Sequence, residues 1–135
     1  MLRSLLLRRL ALSITVLAVG NLVGTLLHWY SLLWWLDMPA HFLGGFAVFY
    51  LSAVFLLPYL KKGMSDSRFV FLSILSGFVL GVIWEGFQLF LSVYSGGVQP
   101  ILLDVLSDLC FDLAGSLIAS LEVSRYLIWQ KKNNA

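Results

Sequence analysis

Between Phe69 and Tyr94 the chain runs for 26 residues with a single charge, Glu85. A stretch this apolar and this long constrains the fold more than any other feature. In lipid every backbone polar group must bond within its own segment, and about 20 apolar residues in a helix cross the hydrocarbon core. Three further stretches qualify: Leu10 to Leu27, Pro39 to Leu60 and Ile101 to Trp129. Two of them are introduced by a proline, Pro39 or Pro100, at a place where a helix has no need of the N–H. Composition agrees. The 135 residues are 60% hydrophobic and 12% charged, against roughly 45–50% apolar and about 25% charged for a soluble domain. The expectation is an all-α polytopic membrane protein, a four-helix transmembrane bundle forming one domain over residues 1–135. The first stretch has the basic start of a signal peptide but lacks a small-x-small cleavage site, so it is expected to be a retained span. With one cysteine, Cys110, no intrachain disulfide can form; Cys110 is expected to be a small packing residue.

Orientation follows from the basic residues. Arg3, Arg8 and Arg9 precede span one, Lys61, Lys62 and Arg68 separate spans two and three, and Arg125, Lys131 and Lys132 end span four. These are all nine, and all fall on one side. The positive-inside rule then predicts a multi-pass protein of the cytoplasmic membrane with both termini in the cytoplasm. His28, Trp29, Tyr30, Trp34 and Trp35 are expected to form an aromatic belt at the opposite interface.

The polar residues are unevenly divided between the leaflets. Glu85 lies about 24 Å from the inner end of span three at ~1.5 Å per residue. Asp104, Asp108 and Asp112 lie about 5, 10 and 16 Å below the outer end of span four by the same rise. Asp37 and His41 open span two, and Gln88 stands one turn beyond Glu85. Asp104, Asp108, Asp112 and Gly115 share one helical face, as do Gly77, Gly81, Glu85 and Gln88. Each acidic stripe therefore adjoins glycines, which let membrane helices approach closely. "GNLVG", from Gly20 to Gly24, gives span one a small face too, and Asn21 beside it is expected to be packing glue. A tight bundle with a polar pocket opening outward is the economical arrangement. In the inner leaflet Glu122 is expected to pair with Arg125 one turn on.

Carboxylates gathered at low dielectric with no lysine or arginine beside them cannot all stay charged. Either several hold protons or a cation sits among them. Oxygen ligands with one imidazole would suit Mg²⁺, Mn²⁺, Ca²⁺ or Zn²⁺, with Glu85, Asp104, Asp108 and Asp112 as candidate ligands. Intramembrane acids are functional candidates by default, at about 3 kcal/mol of insertion cost for a central charge. Asp37, His41, Glu85, Gln88, Asp108 and Asp112 are the candidate catalytic residues.

"DMPAH", "EGFQ" and "DLCFDLAG", in that order, resemble the motifs of the VanZ-like family of small bacterial membrane proteins. Asp37 and His41 match its Asp-x-x-x-His, Glu85 and Gln88 its Glu-x-x-Gln, and Asp108, Asp112 and Gly115 its Asp-x-x-x-Asn-x-x-Gly. Asp112 stands at the usual asparagine, and Met38 at a position often lysine. Those are the marks of a YjdF-like variant. The resemblance covers spans two to four. It implies a pocket that binds or processes a phosphate-bearing membrane lipid of the cell envelope, polyprenyl- or glycerophosphate-linked, and no nucleic acid.

Three functions remain open at this stage. A head-group enzyme, a phosphoesterase or transferase, would need a divalent metal to stabilise phosphoryl charge, with His41, oriented by Asp37, as base or nucleophile. A proton- or cation-coupled carrier would use the buried acids as a pathway; four spans are few for one, and a homo-oligomer would supply more. A non-catalytic lipid-binding or accessory subunit would use the same pocket for recognition.

Overall fold

The computed structural model describes residues 1–33, 35–96 and 101–134. Trp34 and the side chain of Tyr30, from the expected belt, and Pro100, the expected opening of span four, lie outside what is described. Four long helices and one short one form: α1 (Leu2–Leu26), α2 (Trp29–Leu32), α3 (Asp37–Lys61), α4 (Asp66–Ser95) and α5 (Leu102–Asn134). No strand occurs among the described residues, and the chain is an all-α membrane protein. α1 starts at Leu2, earlier than the apolar run, because Arg3, Arg8 and Arg9 continue the helix out of the hydrocarbon rather than ending it. α4 opens on Ser65, whose hydroxyl accepts the Arg68 N–H at 3.4 Å, and closes on Gly96 at a left-handed φ of 66°.

Three helices, α1, α3 and α4, are long and apolar enough to cross a membrane. α5, the expected fourth span, falls short on composition although it is the longest. The reason is visible in its two faces. Asp108, Asp112, Ser116 and Ser120 are buried, while Leu106, Leu117, Ile118, Leu121 and Ile128 are exposed. Its polar residues turn inward and leave an apolar side outward, so a hydropathy average over both faces understates it.

The order of contacts fixes the topology. His41 meets Asp112, the Gly45 carbonyl accepts from Ser116, and Tyr50 bonds to Glu122, so residue numbers rise together and α3 runs parallel to α5. Along α4 they fall instead: Gly81 faces Asp112, Gly77 faces Ser116, and Asp66 Oδ2 lies 2.6 Å from Lys131 Nζ at the far end. α3 is central, with long seams against α5, α1 and α4. α4 also packs along α5, whereas α1 leans on α3 and has no comparable seam with α4.

Glycine permits these approaches at two crossings. A Cβ on Gly45 would overlap the backbone of Asp112, and one on Gly115 the carbonyl of Phe42. Gly77 and Gly81 give the same room to Ser116 and Asp112. Gly20 meets nothing, so the small face expected on α1 is not a close contact there.

The apolar core lies toward the basic end, where Leu6, Phe49, Tyr50, Ala53, Phe69, Ala119 and Val123 are fully buried. Within it Glu122 corrects its expected pairing. Its Oε1 accepts from Arg9 Nε at 2.8 Å and also from Nη2, and its Oε2 accepts from the Tyr50 hydroxyl. A tertiary partner on α1 has replaced the local one, Arg125. Arg9 brings both its donors onto Oε1 and Tyr50 takes Oε2, so partners on two other helices engage the whole carboxylate. Cys110, expected to be a small packing residue, is exposed.

Candidate functional site

The site is built where α3, α4 and α5 run closest, at the end of the α3–α5 seam away from the basic residues. His41 stands one turn into α3 and is buried. Its Nδ1 lies 3.2 Å from Asp112 Oδ2. An ionised carboxylate there can only accept, from a proton on Nδ1, and Nε2 faces the other way. Nε2 looks into three more carboxylates: Glu85 Oε1 at 3.5 Å, Asp37 Oδ2 at 3.8 Å and Asp108 Oδ2 at 3.8 Å. None of the three is at hydrogen-bond distance with good geometry. Glu85, Asp108 and Asp112 are all buried, with side chains 5–7% exposed, while Asp37 at the rim is 45% exposed.

Each carboxylate is positioned by its helix. Asp37 is the first residue of α3 and caps nothing; its side chain reaches back toward His41 from the favourable N-terminal turn. Glu85 is brought in by the glycine stripe beneath it, since Gly81 lets α4 close onto Asp112. Asp112 is itself held between Gly45, Gly81 and His41. Below it the seam continues as Ser116 Oγ donating to the Gly45 carbonyl at 3.0 Å. Glu85 Oε1 is buried and receives no hydrogen bond.

Of the residues singled out from sequence, Asp37, His41, Glu85, Asp108 and Asp112 converge. Gln88 is half-buried and lines the adjoining cleft without joining the His41 contacts. Asp104 is exposed and does not join the cluster. α5 overruns α3 there: Asp37, at the start of α3, already lies level with Asp108, so nothing remains on α3 to bury a residue one turn further out. The residues able to hold a metal are accordingly Asp37, His41 and Asp108, whose ligand atoms all lie within 4.8 Å of one another. The orienting partner of His41 is Asp112 rather than Asp37.

A cleft of about 890 Å³ adjoins the cluster. Its polar floor includes His41, Asp112 and Gln88. One wall is α1 at Leu17 and Asn21, and the facing wall is α4 at Leu80, Trp84 and Phe87. From sequence, Asn21 is expected to be packing glue, and no role is assigned to Leu17, Leu80, Trp84 or Phe87. Their signal was present in α4, where Leu80, Trp84 and Phe87 form a second stripe beside the glycines, but nothing in the pattern says which neighbour that stripe faces.

No curated protein and no solved structure matches the chain. A family model does, from residue 3 to residue 128, and it carries the description "Predicted membrane protein (DUF2238)". A multi-pass helical chain matched over nearly its whole length belongs to that family.

Proposed function

We propose that the chain is a metal-dependent membrane enzyme that cleaves or transfers the phosphoester of a lipid head group. One observation carries this reading: His41 Nε2, its partner nitrogen held by Asp112, faces oxygens of Asp37, Glu85 and Asp108 at 3.5–3.8 Å. Two ligands each ~2.1 Å from one ion in tetrahedral geometry stand about 3.4 Å apart. The spacing therefore suits a shared cation better than it suits hydrogen bonds. A carboxylate on the distal nitrogen is the usual support of a metal-bound histidine. Four carboxylates beside one imidazole would otherwise repel a phosphate. A divalent ion held by Asp37, His41 and Asp108 would reverse the local sign and stabilise charge on the phosphoryl oxygens. Mg²⁺, Mn²⁺, Ca²⁺ and Zn²⁺ are all compatible with this donor set. Glu85 Oε1, with no donor of its own, would take the proton of the attacking hydroxyl as that oxygen bonds to phosphorus, and would return it to the alcohol oxygen released when the phosphoester bond breaks.

The VanZ-like resemblance supports a cell-envelope lipid, polyprenyl- or glycerophosphate-linked. The basic end supports an orientation with both termini in the cytoplasm and the site in the outer leaflet of a bacterial inner membrane. A transmembrane carrier is disfavoured by the core: inward of Asp112 the seam passes to buried Phe49, Tyr50 and Ala53.

The test is elemental analysis of the detergent-purified protein, beside head-group release from phospholipids and polyprenyl phosphates in mixed micelles. One divalent ion per chain is expected, lost in an Asp108→Asn, Asp112→Asn double variant, with turnover abolished by chelator. Metal and retained lipid without turnover would instead make the chain a lipid-binding subunit. Protein that takes up no metal from excess would overturn the reading.

A further inference from the structure

We infer that the cleft between α1 and α4 seats one hydrocarbon chain of a membrane lipid, which enters sideways from the bilayer. Which end of that lipid lies against His41 rests on the function proposed above; the seat itself does not.

The cleft is a missing seam. α1 and α4 both pack on α3 but not comparably on each other, so a gap remains between two helices that each qualify as membrane spans. Apart from Asn21 its walls are apolar, from Leu17 on α1, Ala40 and Val48 on α3, and Leu80, Trp84 and Phe87 on α4. Leu80, Trp84 and Phe87 are 42%, 51% and 47% exposed, so the gap opens outward between the helices rather than closing over. Water does not fill an apolar opening at bilayer depth; the hydrocarbon around it does.

Length and polarity select a lipid chain over a small apolar molecule. From Asp37 to Val48 the cleft runs about 16 Å down α3 at ~1.5 Å per residue. Half of a ~30 Å hydrocarbon core is about 15 Å, so the cleft spans one leaflet. Its polar lining, Asp37, His41, Gln88, Asp112 and Asn21, gathers toward the end where α3 begins, and the wall toward Val48 and Leu17 is apolar. That is the polarity of a lipid, head group at one end and chain below. The 890 Å³ volume falls within the range of about 300–1,000 Å³ usual for small-molecule sites.

The experiment is native mass spectrometry of the full chain in mild detergent, with dioleoyl phosphatidylglycerol as the lipid probe and glycerol phosphate as its chainless counterpart. Metal content is measured on each sample. Leu17→Trp and Val48→Trp fill the apolar part of the cleft from two helices and leave the carboxylates alone. Phe55→Trp, on the exposed face of α3, is the control. One phosphatidylglycerol per chain is expected for the parent and the control, and none of the glycerol phosphate. Retention should fall about tenfold or more in each filled variant, since losing two buried methylenes already amounts to that. Thermal melts establish that each variant is folded. Filled variants that melt like the parent and hold the lipid as well would overturn the seat, whatever their metal content. Loss of lipid on filling, in a protein that never takes up metal, would uphold the seat and overturn the proposed function.

Discussion

Two groups of acids in this bundle use the same chemistry to opposite ends. Near the basic terminus, both oxygens of Glu122 are engaged, one by Arg9 and one by Tyr50. Charge is balanced, and three helices are tied together. At the other end, four carboxylates surround one histidine, and Glu85 Oε1 receives no hydrogen bond. The carboxylates outnumber their one imidazole, and among the described residues no lysine or arginine pairs with them. The first group is complete as it stands and reads as a lock. The second is incomplete without a cation or protons, which is the usual condition of a working site. Satisfaction of the buried atoms, rather than their number or depth, tells the two apart.

The comparison can be broken most directly at Asp108. Asp108→Asn is expected to abolish stoichiometric metal and lower head-group turnover by about a thousandfold. The same change relieves like-charge crowding, so the metal-free variant should melt about 3 °C above the metal-free parent. A lower melting point would mean that the cluster, too, is a lock. Next in size, Asp112→Asn should weaken metal binding about ten- to a hundredfold, as loss of a supporting carboxylate does; unchanged affinity in a metal titration would remove Asp112 from its orienting role. A smaller effect belongs to the lock. Arg9→Met leaves Glu122 without its cation, but the pair is 43% and 31% exposed, so screening limits the loss to about 1–2 kcal/mol of stability. Denaturation should report that loss while metal content stays at the parent value. Smallest of all, Asp104→Asn should change stability by less than about 0.5 kcal/mol and leave metal content alone, because that side chain is outside the cluster; loss of metal in this variant would restore it as a ligand.

Much of the fold was legible because lipid leaves few choices. Apolar runs of spanning length imply helices, and nine basic residues on one side imply a common end. The convergence of His41, Glu85, Asp108 and Asp112 was legible because four-residue spacing next to glycine specifies one close-packed face. What failed were statements that needed the third dimension. Glu122 prefers a partner 113 residues away to one three residues on. Asp104 continues its stripe in sequence but projects beyond the start of α3. Asp37, four residues from His41, was the expected orienting partner, but the depth at which α5 crosses α3 puts Asp112 closer, at 3.2 Å against 3.8 Å. The cleft was illegible for the same reason: it is a contact that α1 and α4 do not make, and sequence patterns record faces rather than gaps.

The parallel course of α3 and α5 also bears on how the protein is made. His41 arrives on the ribosome with α3 and Glu85 with α4, both before Asp108 and Asp112 exist. A charge at the centre of a lone span carries about 3 kcal/mol of insertion penalty, and Glu85 must meet it without its later neighbours. The last helix to emerge therefore finishes the bundle. A chain halted after Ser95 would hold His41 and Glu85 toward an open seam, with Gly45 and Gly81 lacking Asp112 and Gly77 lacking Ser116, and would present that surface to whatever disposes of unfinished membrane proteins.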